Sequence, residues 1–129
     1  MENRIENNYS KITKFTDLIV WQQSHKLVLS VYQVTKQFPR EEIFGLTSQM
    51  RRAAVSVTSN IAEGFARKSK KEKSQFYTIA RGSLVELESQ LLVSRDILYL
   101  TAEAFEKIYA ELVSAHQLLN AFINKTNNL

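Results

Sequence analysis

The chain is expected to fold as an all-α protein, an antiparallel up-down-up-down four-helix bundle. Three observations predict it. Apolar residues recur at three- and four-residue steps in four successive stretches, the spacing that keeps side chains on one face of a 3.6-residue helix. Only three glycines and one proline occur in 129 residues, so long helices meet few breakers. The breaks fall between the periodic stretches and leave two short connections and one moderate one, which favours antiparallel neighbours. Each stretch is about 20 residues, or about 30 Å of helix.

Residues 1–14 are rich in Asn and charge without a sustained period, and are expected to form a flexible N-terminal arm. The bundle domain then occupies 15–125. In helix 1, Asp17 can accept hydrogen bonds from the free amides of the first turn. Leu18, Trp21, His25, Val28, Tyr32 (with Val31) and Thr35 follow on one face. Gln37-Phe38-Pro39 ends it, because proline cannot continue a helix and pushes the preceding residue towards an extended conformation. Ile43 and Phe44, two large apolar residues in the next connection, are expected to tuck against the bundle end.

Helix 2 runs from Phe44 to between Gly64 and Lys68, and the other helices are expected to arrange themselves around it. Leu46, Met50, Ala53, Val57, Ile61 and Gly64 form its face, with Ala54, Ser56, Ser59 and Ala62 on or beside it. Small side chains there let neighbouring helices approach closely. Ser69-Lys70-Lys71-Glu72 fits a capping box and starts helix 3. Phe76, Ile79, Ser83 (with Ala80), Leu84, Leu87, Leu91, Ser94 and Leu98 then run down one side. Gly82 inside that pattern costs about 1 kcal/mol relative to Ala, and close approach to helix 2 is the expected compensation. Thr101 caps helix 4, where Phe105, Ile108, Leu112, Ala115, Leu119 and Phe122 alternate strictly. The polar tail 126–129 is expected to fray.

Composition is that of one globular domain, with 44% hydrophobic and 23% charged residues. No cysteine is present, which excludes disulfides and thiolate chemistry and fits a reducing compartment, so the cytoplasm is expected. No run reaches the ~18 apolar residues of a membrane span, and the first residues lack a signal peptide's apolar core. The formal net charge is +4. Arg67, Lys68, Lys70, Lys71 and Lys73 against Glu72 give 5 − 1 = +4 within seven residues, leaving 12 basic and 12 acidic residues elsewhere. A basic point on a balanced surface is a candidate for meeting phosphate, and a solvated connection is the ordinary alternative.

Reactive constellations are missing. A di-metal bundle site needs Glu-x-x-His pairs, and Gln22 and Val113 stand three residues before His25 and His116. Glu63 has an i,i+4 partner in Arg67 rather than a catalytic one. Gly45, Gly64 and Gly82 lie too far apart for a phosphate loop. No enzyme activity, cofactor or metal is therefore expected. Arg51 and Arg52 diverge by about 100° of helical rotation, so the two are not expected to serve one contact, and either could pair with Glu86 or Glu88. Ser56, Asn60, Gly64 and Gly82 are the candidates for helix or subunit packing, a bordering Asn being able to set register.

A series of blocks then resembles a known family. They are Phe15-x-Asp17-Leu18-x-Val20-Trp21-Gln22, Tyr32, Phe38-Pro39-x-Glu41, Phe44-Gly45-Leu46-x-x-Gln49-x-Arg51-Arg52-Ala53-Ala54-x-Ser56, Ser59-Asn60-Ile61-Ala62-Glu63-Gly64 and Ala80-x-Gly82-Ser83-Leu84-x-Glu86-Leu87. In order and spacing they are similar to the four-helix-bundle 23S rRNA-intervening-sequence proteins, of which diversity-generating retroelement accessory proteins are more distant relatives. One departure is Ala66, which stands before Arg67 where the family usually has Gly. The resemblance implies a ring-shaped homo-oligomer, commonly a pentamer, and separately the sequence offers Ile19, Val20, Phe65, Tyr77 and Tyr109 as exposed apolar candidates for its contacts. The resemblance also implies a non-enzymatic protein presenting basic loops to RNA or DNA. The alternative expectation is a protein-interaction scaffold that never touches nucleic acid.

Overall fold

A computed structural model describes residues 12–129, and most of the expected N-terminal arm lies outside them. Four helices carry the fold: α1 (Ile19–Thr35), α2 (Leu46–Ala66), α3 (Lys70–Asp96) and α4 (Ala102–Asn127). No strand occurs among the described residues. Each helix packs on its neighbours in the order α1, α2, α3, α4 and back to α1. Partner pairs give the direction. Met50 meets Ser94 at 3.4 Å, Ser56 meets Ser83 at 2.8 Å, and Gly64 lies against Tyr77, so α2 and α3 are antiparallel. Arg81 donates to Asn120 at 3.2 Å, while Glu88 accepts from Tyr109 further along, and α3 and α4 are antiparallel too.

The face expected of α2 is the one buried: Met50, Ala53, Ala54, Val57, Ile61 and Gly64. Leu84, Leu87 and Leu91 from α3 and Ile108, Leu112, Ala115 and Leu119 from α4 complete the core, with Trp21 and Phe105 only half-buried at its margin. Both expected caps of the later helices are present. Ser69 Oγ accepts the Glu72 amide at 3.1 Å, and Thr101 Oγ1 accepts the Ala104 amide at 3.1 Å. The Glu72 carboxylate accepts the Ser69 hydroxyl rather than its amide, so the box closes through side chains.

Several expectations are corrected. Asp17 does not cap α1: its carboxylate accepts the amides of Thr13 and Lys14, each at 3.1 Å, and closes the 3-10 turn Phe15–Asp17 ahead of the helix. Those two bonds favour the charged form and lower its pKa. The buried stripe of α1 is Val20, Ser24, Leu27, Val28, Val31 and Thr35. His25 is exposed and stacks on Trp21, ring centroids 4.7 Å apart. In α3, Tyr77 points inward beside the expected Ala80, while Ile79 is exposed. The connection's inward aromatic is Phe38, packed 5.2 Å from the Tyr99 ring, whereas Phe44 is 97% exposed. Leu98 leaves the core side altogether: it takes φ 67° where α3 ends, and the Tyr99 amide reaches back to Ser94 O at 2.9 Å. The 126–129 tail continues as helix to Asn127, with Thr126 buried.

The two glycines of the hairpin face opposite circumstances. A Cβ on Gly64 would sit 2.6 Å from Tyr77 Cε1 and 2.9 Å from Phe76 Cβ, whereas a Cβ on Gly82 would meet nothing within 4 Å. Gly82 therefore does not make the close approach to α2 that its pattern suggested. Gly64→Ala is expected to destabilise by about 1–3 kcal/mol, overpacking outweighing the ~1 kcal/mol propensity gain. Gly82→Ala should stabilise by up to about 1 kcal/mol, and urea unfolding of the pair checks the opposite signs.

Tyr77 supplies a pH prediction. Burial pushes its phenol up to about 12 from 10.0, so the folded state holds the proton more tightly than the unfolded one. That contribution is complete below pH 10 and is lost as pH rises from about 10 towards 12, at up to about 1.4 kcal/mol per pH unit. Unfolding free energies measured at pH 9, 10 and 11 should fall less steeply for Tyr77→Phe than for the parent.

Candidate nucleic-acid interface

The α2–α3 connection comprises Arg67, Lys68 and Ser69, and α2 runs helically through Ala66 before Arg67 turns extended. Its shortness follows from Gly64: without a side chain there, Tyr77 packs directly on the α2 backbone and α3 starts beside the end of α2. The end of α4 lies at the same place, since Ser74 bonds the Asn127 side chain. Two helix C-termini, with their unsatisfied carbonyls and partial negative charge, thus meet the N-terminus of α3.

The five basic residues divide accordingly. Lys73 Nζ donates to Phe65 O at 2.8 Å and Gly64 O at 3.5 Å, and lies 5.3 Å from the Phe65 ring centroid. Lys70 Nζ donates to Asn127 O at 3.3 Å and Leu129 O at 3.2 Å. Both lysines therefore cap helix ends. Arg67 pairs with Glu63 at 3.2 Å, as their spacing indicated, and its guanidinium lies 4.9 Å from the Phe76 ring centroid. Lys68 and Lys71 are exposed and make no hydrogen bond or ion pair among the described residues. Beside Lys71 a shallow open trough runs along Lys70, Ser74, Gln75, Thr78, Ile79 and Asn127. The arrangement can offer exposed ammonium groups to an anion and holds no polarised base or nucleophile among the described residues.

The packing candidates resolve into one relay. Asn60 Nδ2 donates to Ser56 O at 2.8 Å and to Ser56 Oγ at 3.0 Å, and Ser56 Oγ shares a 2.8 Å hydrogen bond with Ser83 Oγ on α3. Ser56 thus ties α2 to α3 with Asn60 supporting it from the same helix, and Gly64 continues that contact. Arg51 and Arg52 find neither Glu86 nor Glu88, whose carboxylates accept from Gln90 and Tyr109. Sequence reasoning missed Glu111, a buried carboxylate of α4 that accepts both its hydrogen bonds from Ser30 Oγ on α1, at 2.7 and 3.1 Å. Its signal was only that it adjoins Leu112 on the inward face. No group of three or more potential metal ligands occurs among the described residues, and no helix there is long and apolar enough to cross a membrane.

Comparison with known proteins agrees with the fold. A solved structure from Bacteroides thetaiotaomicron, a protein of unknown function from the S23 ribosomal protein family, superposes with a TM-score of 0.76 at 21% identity, covering 82% of this chain and 96% of that one. The comparison with curated proteins returned no match. The family model for the 23S rRNA-intervening sequence protein matches residues 16–121, a span that takes in α1, α2, α3 and most of α4, and the chain belongs to that family.

Proposed function

We propose that the chain is a non-enzymatic, cytoplasmic, self-assembling bundle that contacts the phosphate backbone of RNA or DNA through the α2–α3 connection. The observation that carries this reading is the placement of charge. The whole formal excess of +4 lies in residues 67–73, and Lys68 and Lys71 there have no bonding partner among the described residues. Arg67, Lys70 and Lys73 add to the local potential while holding structural contacts. No aromatic side chain interrupts the connection itself, so contact is with backbone and little sequence preference is expected.

Self-assembly into a ring, with the pentamer the family resemblance implies, would repeat two free lysines per chain around one face and convert weak contacts into avidity. The surface for it differs from the expected one, because Val20 and Tyr77 are buried and Phe65 and Tyr109 half-buried. Ile79, Val85 and Val93 on α3 and Ile97 just past its end are instead the exposed apolar residues, with the open Gly82 among them. The second reading, a scaffold for a partner protein, is favoured by the bare apolar end of the bundle at Phe44 and Leu98, the latter 86% exposed.

Light scattering should return a multiple of the 14.9 kDa chain mass, and Val85→Glu should reduce it to that mass. Binding of a duplex should weaken with salt at a log–log slope of roughly 0.9 per phosphate neutralised, or roughly 0.7 for a single strand. Lys68→Glu with Lys71→Glu should abolish binding at unchanged melting temperature and oligomer mass. Lys73→Met should instead lower stability by about 0.5–1 kcal/mol, since it uncaps α2. If the double variant binds like the parent, the partner-protein reading takes precedence.

A further inference from the structure

A second cationic region lies away from the connection, in a groove between the end of α1 and the first half of α2. Its cavity is about 860 Å³, within the range of small-ligand sites. Lys36, Arg40, Arg51 and Arg52 border it, and no carboxylate does. The nearby acid Glu42 is committed elsewhere: one oxygen accepts the Leu46 amide at 3.1 Å and the other the Tyr99 hydroxyl at 2.8 Å. Four like charges around one cavity repel each other unless an anion joins them.

Arg51 is held ready for that anion. Its guanidinium lies 4.7 Å from the Tyr32 ring centroid, and its Nε donates to Thr35 Oγ1 at 2.9 Å. Thr35 is buried and itself anchored to Val31 O at 2.7 Å. Both terminal nitrogens of Arg51 remain without a protein acceptor among the described residues, which leaves a planar fork of the kind that grips phosphate oxygens in pairs. Arg52, one position on, borders the same cavity despite its rotation around α2, so the two arginines serve one space after all. Thr47 and Ser48 at the start of α2 line it as well, while the first amide of that helix, Leu46, is taken by Glu42. Exposed Ile43, Val55 and Tyr32 give the groove an apolar wall.

We propose that this groove binds a phosphate monoester with a ring-bearing or apolar body, such as a nucleoside monophosphate or the 5′-phosphate end of a strand, with Arg51 and Arg52 taking the phosphate. The site does not depend on the α2–α3 connection, and the Lys68→Glu, Lys71→Glu protein should retain it. Calorimetry at low salt with inorganic phosphate, adenosine 5′-monophosphate and adenosine tests the chemistry. The monophosphate is expected to bind at least about tenfold tighter than adenosine, and Arg52→Gln to weaken it by about tenfold or more at unchanged melting temperature. Arg51→Lys, which keeps the charge and loses the fork, should weaken it as well. A 5′-phosphorylated oligonucleotide compared with its 5′-hydroxyl form distinguishes a strand end from a free nucleotide, and preference for either phosphate form upholds the site. Equal affinity for adenosine and its monophosphate, parental affinity in Arg52→Gln, or no binding of any phosphate compound at millimolar concentration overturns it.

Discussion

The contact between Gly64 and Tyr77 is the constraint on which the hairpin of α2 and α3 depends. A ring 1% exposed lies directly on the α2 backbone, and only a residue without a side chain leaves room for it. Further along the same interface Ala53, Ala54 and Ala80 are buried, so the two helices remain close over several turns. The hydrogen bond between Ser56 and Ser83 fixes which residues face each other, with Asn60 holding the Ser56 hydroxyl from within α2. Packing supplies proximity and the relay supplies register.

That geometry has an electrostatic consequence. Bringing the ends of α2 and α4 to the start of α3 concentrates orphan carbonyls at one end of the bundle. Lys73 and Lys70 bond the carbonyls that the close approach exposes. A run of lysines that reads as surplus charge in one dimension is thus partly structural in three. Arg67 is similarly occupied by Glu63, and the charge free for a partner belongs to Lys68 and Lys71.

The four helices, the face of α2 and both later caps were legible because each rests on local spacing or on a capping residue three positions from its target. The phase of α1 was not. Trp21, His25 and Tyr32 are amphipathic rings at helical spacing, and the alternative stripe through Val20, Ser24, Leu27 and Val31 fits the same period. Choosing between Phe76 and Tyr77 required knowing that Gly64 lies opposite, a fact about two helices rather than one. Leu98 was misplaced for another reason: a left-handed residue at a helix end is expected to be Gly, and a leucine there carries no sequence mark. Gly82 shows the converse, a glycine whose missing side chain no contact among the described residues requires.

The cationic groove was hidden in the sequence by its own neighbours. Between Lys36 and Arg52 the linear charge is four basic residues against Glu41 and Glu42, a modest excess beside the dense run at 67–73. Folding separates what the sequence interleaves. Glu42 turns to the Leu46 amide and the Tyr99 hydroxyl, a bond that also raises the pKa of that phenol, and Lys36, Arg40, Arg51 and Arg52 are left around a cavity without a carboxylate in its wall. The two basic regions therefore differ in kind. At the connection, the exposed ammonium groups of Lys68 in the link and Lys71 in the first turn of α3 have no bonding partner among the described residues, a geometry suited to a charged polymer tracked without fixed distances. In the groove, an arginine held by an aromatic ring and a buried hydroxyl presents its terminal nitrogens beside an apolar wall, a geometry suited to a small anion of fixed shape.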